Sequence, residues 1–366
     1  MTHLTKMRVA ELLDNHFPPN GNWQGLSLGR TTVVWLAFIL SEGDHRLSRV
    51  EPWGTTHQRT LSRCLSHTVK PRDLTEDRLA PVLDYLYVPA RWRAFERELN
   101  QSVLRVYDLQ GRVVRVDPTT AAAYVTPAGM FQLGHSKDHR PDLPQVKIAM
   151  SVLDPLGVPL TTPVVAGHTA DDPLYLPESA KVRQTAQRTG LTSVGDCKMA
   201  ALGTRAEIVA HQDYSLCPLS ATQMPEAALD RVLAPVFCDA LKPSAIRVPN
   251  ADGAIAETDD PVAIGLAYTV ELSAPDQSGQ ARTWHERRLV VRSLAFAASQ
   301  EKSLRQRVAR AVTELNALEE RKQGKQRLPD ETAASQAAAA ILAKHRVEGL
   351  GTVTVTTEVH EHVKRR

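Results

Sequence analysis

The chain has 366 residues, 42% hydrophobic and 23% charged, ordinary proportions for a globular protein with a sizeable core and a length suited to two or three domains. A formal net charge of only +3 neither demands nor excludes a polyanionic partner, so the distribution of charge has to decide. Four cysteines, Cys64, Cys197, Cys217 and Cys238, lie far apart with no CxxC pair; this argues against a zinc ribbon and a disulfide scaffold and leads us to expect a reduced, cytoplasmic protein. The longest apolar run, TTVVWLAFIL at 31–40, falls well short of the roughly 20 residues needed to span a bilayer and reads as a buried helix. No secretory h-region follows the N-terminal charges.

Residues 1 to 100 read as helical. ELLDNHF, TTVVWLAFILSEG and TEDRLAPVLDYLYV carry apolar residues near a 3.6 spacing, separated by the loop signals PPNGNWQG and WGTTHQR. Arg59, Arg63, Lys70 and Arg72 cluster around a helix-breaker-helix pattern in which Asp73 or Thr75 is placed to cap the second helix and Glu76 and Asp77 suit its first turn. That pattern fits a DNA-binding helical pair and equally a packing domain with solvated arginines. From Ser102 the period changes to two: VLRVYDL and RVVRVDP predict two strands joined by a turn at 109–111, with Asp117 closing the second. VKIAMSVLD and VPLTTPVVAG predict a further hairpin, DPLYLPESAKVRQTAQRTG a helix, and LTSVGD a short buried strand closed by Asp196. Beyond about residue 205 the pattern is mixed, with strand-like GLAYTVELS and RRLVVRSLAF. A helix is expected from about Ser299 to Gln323 with a stripe of Leu304, Val308, Ala311, Leu315 and Leu318, then a second helix after Pro329 and a terminal strand in TVTVTTEVHEHVKRR.

Two aspartates at strand ends, separated by a hairpin and a helix, are a geometry for holding divalent cations in phosphoryl transfer, where paired ions about 4 Å apart serve the attacking and leaving oxygens. Most such residues only cap turns. The residue context adds more: VDPTTAAAY at 116–124 and GHSKDHRPDLPQVKIAMSVLDPLGVPLTTPVVAGHTAD at 134–171 resemble the DDE transposases of bacterial insertion sequences. In that family an Asp-Thr-Thr segment follows the first core strand and a Gly-(His/Tyr)-Ser-Lys-Asp-His-Arg-Pro-Asp segment precedes the next. The resemblance, strong over about 100–205, implies an α/β fold with a ribonuclease H-like mixed-sheet core at 101–204. It further implies an N-terminal helical domain at 1–100 and a mixed domain inserted after the second aspartate at 205–366. It implies catalytic, metal-holding roles for Asp117 and Asp196 with two Mg²⁺ ions, Mn²⁺ serving as a substitute. Lys137, His139 and Arg140 would form a cationic loop for DNA phosphates. It also implies double-stranded DNA, element ends and target, as the partner of a homodimer at the nucleoid, with no membrane. This chain departs from the pattern by the proline in Asp117-Pro118-Thr119-Thr120.

The family's third acid stands in a Tyr, Arg, Glu, Lys helix that is absent here, so its identity is unknown. Arg307, Arg310, Glu314 and Arg321 match the spacing with arginine at both ends, but Glu314 flanks the apolar stripe and reads as a solvated or paired residue. The expectation is therefore a chain that ends within the inserted domain, with little strand-transfer activity alone. Alternatives left open are a catalytically silent DNA-binding remnant and an unrelated metal hydrolase using His135, His139, His168, Asp171 and Asp172, for which Gly134, Ser136 and Pro141 disfavour the helix that four-spaced histidines need. Within the loop, pairing of Asp138 with Arg140 is the plain structural alternative to phosphate binding.

Overall fold

The computed structural model describes residues 1–249, 253–255, 260–319, 328 and 330–356. They form two compact units, one of residues 1–229 with 271–284 and one of residues 230–270 with 285–366.

In the first unit, the described residues up to Val106 form seven α-helices: α1 (Thr2–Lys6), α2 (Val9–His16), α3 (Leu28–Glu42), α4 (Val50–Thr56), α5 (Gln58–Leu65), α6 (Glu76–Leu86) and α7 (Pro89–Val106). The apolar run 31–40 is the middle of α3, begun by Ser27, whose side chain accepts from the Arg30 amide, and buried through Val33, Val34, Trp35 and Phe38. Asp73 does not cap α6. Its carboxylate accepts from the Lys70 amide, while Thr75 occupies the N-cap position without a side-chain bond and Glu76 and Asp77 fill the first turn. The expected strand at 103–109 is absent, because these residues end α7. Pro89 preorganises the first turn of that helix, and its helix-forming interior outweighs a short run of alternation. Phe95 packs among the N-terminal helices while Leu104 packs under the sheet, so α7 joins the two cores.

The sheet strands are β1 (Val113–Ala122), β2 (Gln145–Leu153), β3 (Val158–Thr161), β4 (Val164–Ala166), β5 (Thr192–Val194) and β6 (Tyr214–Leu216), with α8 (Tyr175–Ala186) between β4 and β5 and α9 (Leu202–Ala210) between β5 and β6. Their order is β3-β2-β1-β5-β6, with β4 also on β2. β1, β2 and β3 are antiparallel, and β5 and β6 run parallel to β1. A three-strand meander followed by two parallel strands across the first is the ribonuclease H-like topology. α8 covers one face, burying Tyr175, Val182 and Ala186 against Val114, Val116, Leu153 and Leu160.

Asp117 lies in the middle of β1, not at its end, because β2 pairs with β1 as far as Ala122. Pro118 is tolerated there for a specific reason. Asp154 donates to Val113 O and Ala123 to Pro144 O, which sets the odd residues of β1 as the hydrogen-bonded partners of β2 and turns the Pro118 nitrogen and carbonyl toward β5. β5 pairs with β1 only as far as Arg115, so the missing N–H removes no ladder bond.

A three-stranded sheet is formed by β7 (Ser244–Ile246), β8 (Ala263–Pro275) and β9 (Ala281–Ser293); its residues 271–284 belong to the first unit and the rest to the second, and the unit boundary at 229/230 falls within α10 (Glu226–Phe237). In the second unit α11 (Leu294–Glu319) and α12 (Glu331–His345) follow. α12 starts at Asp330, whose side chain accepts from the Ala333 amide. α11 begins earlier than its apolar stripe predicts, within the LAF segment expected as strand, and Ala311 is its buried centre. Residues 351–356 form no strand, and the remainder of the expected terminal strand, like Arg321, lies outside the described residues. Glu314 accepts from Lys344 Nζ at 2.9 Å and lies 3.0 Å from His345 Nε2. Lys344, then His345, hold its carboxyl below the ordinary value of 4.5. A carboxylate depressed in this way stabilises the fold above its unfolded value and loses that contribution as pH falls through the lower folded one. Thermal melts between about pH 5 and about pH 3 should show a flatter acid decline in Glu314→Gln than in the parent.

Candidate active site

Val113, Val114 and Arg115 of β1 stand level with Thr192, Ser193 and Val194 of β5. Continuing that parallel register by two residues sets Asp117 beside Asp196. Gly195 keeps the extended course by donating to Leu216 O of β6, and Asp196 is itself extended, at φ −78° and ψ −176°. Alternation on β1 buries Val114, Val116, Pro118 and Thr120 and turns Asp117 outward, its side chain 82% exposed. Carried on in this way, the register points both acids to the notch where β5 parts from β1, a switch point of the kind at which open sheets place their ligands.

Asp196 is held from two sides. Its Oδ1 accepts from the Lys198 amide at 2.8 Å and from the Tyr175 hydroxyl at 2.6 Å. Tyr175 is 1% exposed, and burial, reinforced by Asp196, pushes its phenol far above the ordinary value, so it stays protonated and acts as a donor. Gly195 makes room for this contact, since a Cβ there would stand 3.0 Å from the Tyr175 ring and 3.1 Å from Met199 Sδ. Tyr175→Phe should keep the packing and cost about 1 kcal/mol in urea denaturation; an unchanged midpoint would show that water replaces the hydroxyl without loss.

Lys137 reaches the site from the loop 134–142. Its amide donates to Thr120 Oγ1 at 3.4 Å, and its ammonium to Asp117 Oδ1 at 3.4 Å and to Pro118 O. Arg140 has other partners. Its guanidinium binds Asp142 through two nitrogens, at 2.9 and 2.7 Å, donates to Tyr124 OH and stacks over that ring, and this pairing holds the Asp142 carboxyl below its ordinary value. The alternative pairing of Arg140 with Asp138 is thereby replaced by Asp142. His139 is exposed, in a left-handed conformation at φ 56°.

Behind the site, Lys147 of β2 sits on the buried side of the sheet. Only 7% of its side chain is exposed, and its ammonium binds Asp171 Oδ1 and Thr169 O, each at 2.5 Å. This ion pair ties the segment entering α8 to β2, and Lys198 stands 3.9 Å from Asp172. Tyr175, Lys147 and Asp171 were not singled out from the sequence as parts of this site. A lysine in register with Ala149 and Leu153 on a buried strand face is the available sign, because such a charge demands a partner.

Among the described residues no three His, Cys, Asp or Glu side chains group as a metal cage. That counts against the zinc set. His135 and His139 lie in a non-helical loop, and Asp171 is occupied by Lys147. It also leaves Asp117 and Asp196 without a third carboxylate among those residues, and Glu314 is engaged by Lys344 and His345. Asp117 and Asp196 themselves suit Mg²⁺, which is commonly held by one or two carboxylates with waters and substrate phosphates completing its shell. The Tyr175 hydroxyl and the Lys198 amide both meet Oδ1 of Asp196, which leaves its Oδ2 for such a role.

No protein-family model and no curated protein matches the chain. Among solved structures it is similar to a piggyBac transposase synaptic complex with hairpin DNA (TM-score 0.33, 10% identity, 76% of this chain and 56% of that chain). It is also similar to a Mos1 transposase paired-end complex with the left transposon end (TM-score 0.22, 11% identity, 62% and 83%) and to the Mos1 strand transfer complex (TM-score 0.21, 12% identity, 61% and 68%). The chain thus spans little more than half of the piggyBac chain. No described helix is long and apolar enough to cross a membrane. Strand order and direction within the chain itself make its core a ribonuclease H-like mixed sheet.

Proposed function

We propose that this chain is a transposase-type enzyme of DNA, cleaving phosphodiester bonds with divalent cations held by Asp117 and Asp196. The observation that carries the reading is the β1–β5 register, whose last pair is Arg115 with Val194; carried two residues further, it points Asp117 and Asp196 to the same notch of a ribonuclease H-like sheet. When bound, the metal supplies positive charge where phosphoryl transfer develops negative charge. The chain's own residues do the positioning. Tyr175 and the Lys198 amide orient Asp196, while the Gly134–Asp142 loop, fastened to Thr120 through Lys137, presents the Lys137 ammonium beside Asp117.

DNA as the partner is supported by charge placement. In the helical region a cleft of about 700 Å³ is lined by His67, Lys70, Arg72 and Arg78 together with the carboxylate of Asp73, and Arg59 and Arg63 are exposed on α5 nearby in sequence, an excess of basic groups suited to phosphate contacts. The test is nicking of a supercoiled plasmid in Mg²⁺ or Mn²⁺, against a chelator control. Open circles that require metal and both aspartates support the enzyme. DNA binding without cutting under any metal leaves the silent DNA-binding reading.

A further inference from the structure

We infer that Lys137 is the resident counter-cation of Asp117, filling the position that a divalent cation would take and so setting how readily that carboxylate binds one. The inference rests on the reading of Asp117 as a metal ligand. Its basis is the pair of oxygens the ammonium joins. Asp117 Oδ1 lies on the outward face of β1. Pro118 O points, by the alternation of the ladder, into the gap beyond Val194 where β5 no longer supplies a donor. A strand carbonyl and a carboxylate are both hard oxygen donors of the type that Mg²⁺ and Mn²⁺ use. The structure therefore places a monovalent cation across two such donors at the notch.

The lysine is built to hold this place without blocking it. Its backbone is fastened by the amide bond to Thr120 Oγ1, and the loop is braced by Arg140 N donating to Ser136 Oγ. Only its flexible stem and head would have to move, and its side chain is 35% exposed beside an Asp117 side chain that is 82% exposed. An ion pair so open to water is weak, so a divalent ion can displace it at modest cost. Displacement of one cation by another is a competition, and removing the first must tighten binding of the second.

The test uses the full chain and Mn²⁺ alone, with free Mn²⁺ read by electron paramagnetic resonance and folding checked by circular dichroism. The relevant site is the one lost in Asp117→Asn. At that site Lys137→Met and Lys137→Gln should bind Mn²⁺ about two- to fivefold more tightly, the range set by an exposed ion pair, and Lys137→Arg should stay near the parent. If Asp117→Asn removes a Mn²⁺ site but folded Lys137→Met and Lys137→Gln bind no more tightly than the parent, or more weakly, the counter-cation role is wrong and the metal reading stands. If Asp117→Asn leaves Mn²⁺ binding unchanged, the metal reading itself fails and takes this inference with it.

Discussion

Asp117→Asn and Asp196→Asn are each expected to reduce metal-dependent nicking to the uncatalysed background, a loss on the order of a thousandfold for an intact site. Neither change should unfold the chain. Asp117 is an exposed residue on the outer face of β1, and its replacement removes one weak, solvated ion pair with Lys137, so its stability should stay within about 0.5 kcal/mol of the parent. Asp196→Asn replaces a charged acceptor of the Tyr175 hydroxyl and the Lys198 amide by a neutral one and should cost about 1 kcal/mol. The diagnostic result is a pair of folded variants that still bind DNA and no longer cut it. Equal cutting by the parent and either variant would remove these carboxylates from the chemistry, whatever their register.

Gly167→Ala should be the most damaging small substitution near the site. A Cβ at Gly167 would stand 2.0 Å from Gln145 O and 2.7 Å from Gln132 O, and one at Gly134 would stand 2.4 Å from Gly167 O. All three obstacles are backbone, so no side chain can swing away. Here three segments meet. Gln132 and Gln145 exchange both backbone hydrogen bonds, Gly167 N donates to Met130 O, and the fully buried Gln145 side chain donates to His135 O and Gly167 O. Forcing them apart should cost about 3 kcal/mol, the upper end for overpacking, and should loosen the loop that carries Lys137. Gly21→Ala, where nothing lies within 4 Å, is the control. Urea denaturation of both variants decides the matter; a Gly167→Ala midpoint as high as that of Gly21→Ala would contradict the close approach.

The motif glycines show how local pattern and tertiary contact divide the information. Gly134 stands in the segment GHSKDHRPD and Gly167 in AGHTAD, and both segments are recognisable as text, yet that the two glycines touch depends on the pairing of Gln132 with Gln145. The strands 113–122 and 145–153 are readable because burial on one face of a sheet imposes period two on neighbouring residues, and α3 is readable because its apolar stripe lies within one segment, whereas its Ser27 cap emerges only with the structure. The same local signal misleads at 103–109. Alternation over so few residues is compatible with the last turns of a helix whose start, at Pro89, lies outside the window, and packing of Leu104 beneath the sheet settles the outcome.

Sequence alone singles out the two candidate acids, Asp117 and Asp196, and the cationic residues in the loop between them, since each stands out through its own neighbours. Only the tertiary structure decides what those residues do to one another. It puts Asp117 in the interior of a strand whose pairing with β5, carried two residues past Arg115 and Val194, points it toward Asp196, because register is a property of two strands that meet across the fold. It gives Lys137 to Asp117 and Arg140 to Asp142 and Tyr124, and it brings in Tyr175, Lys147 and Asp171, whose roles arise from contacts between segments distant in the chain. Hydrogen bonds and ion pairs of that kind depend on distance in space, which one-dimensional spacing does not encode.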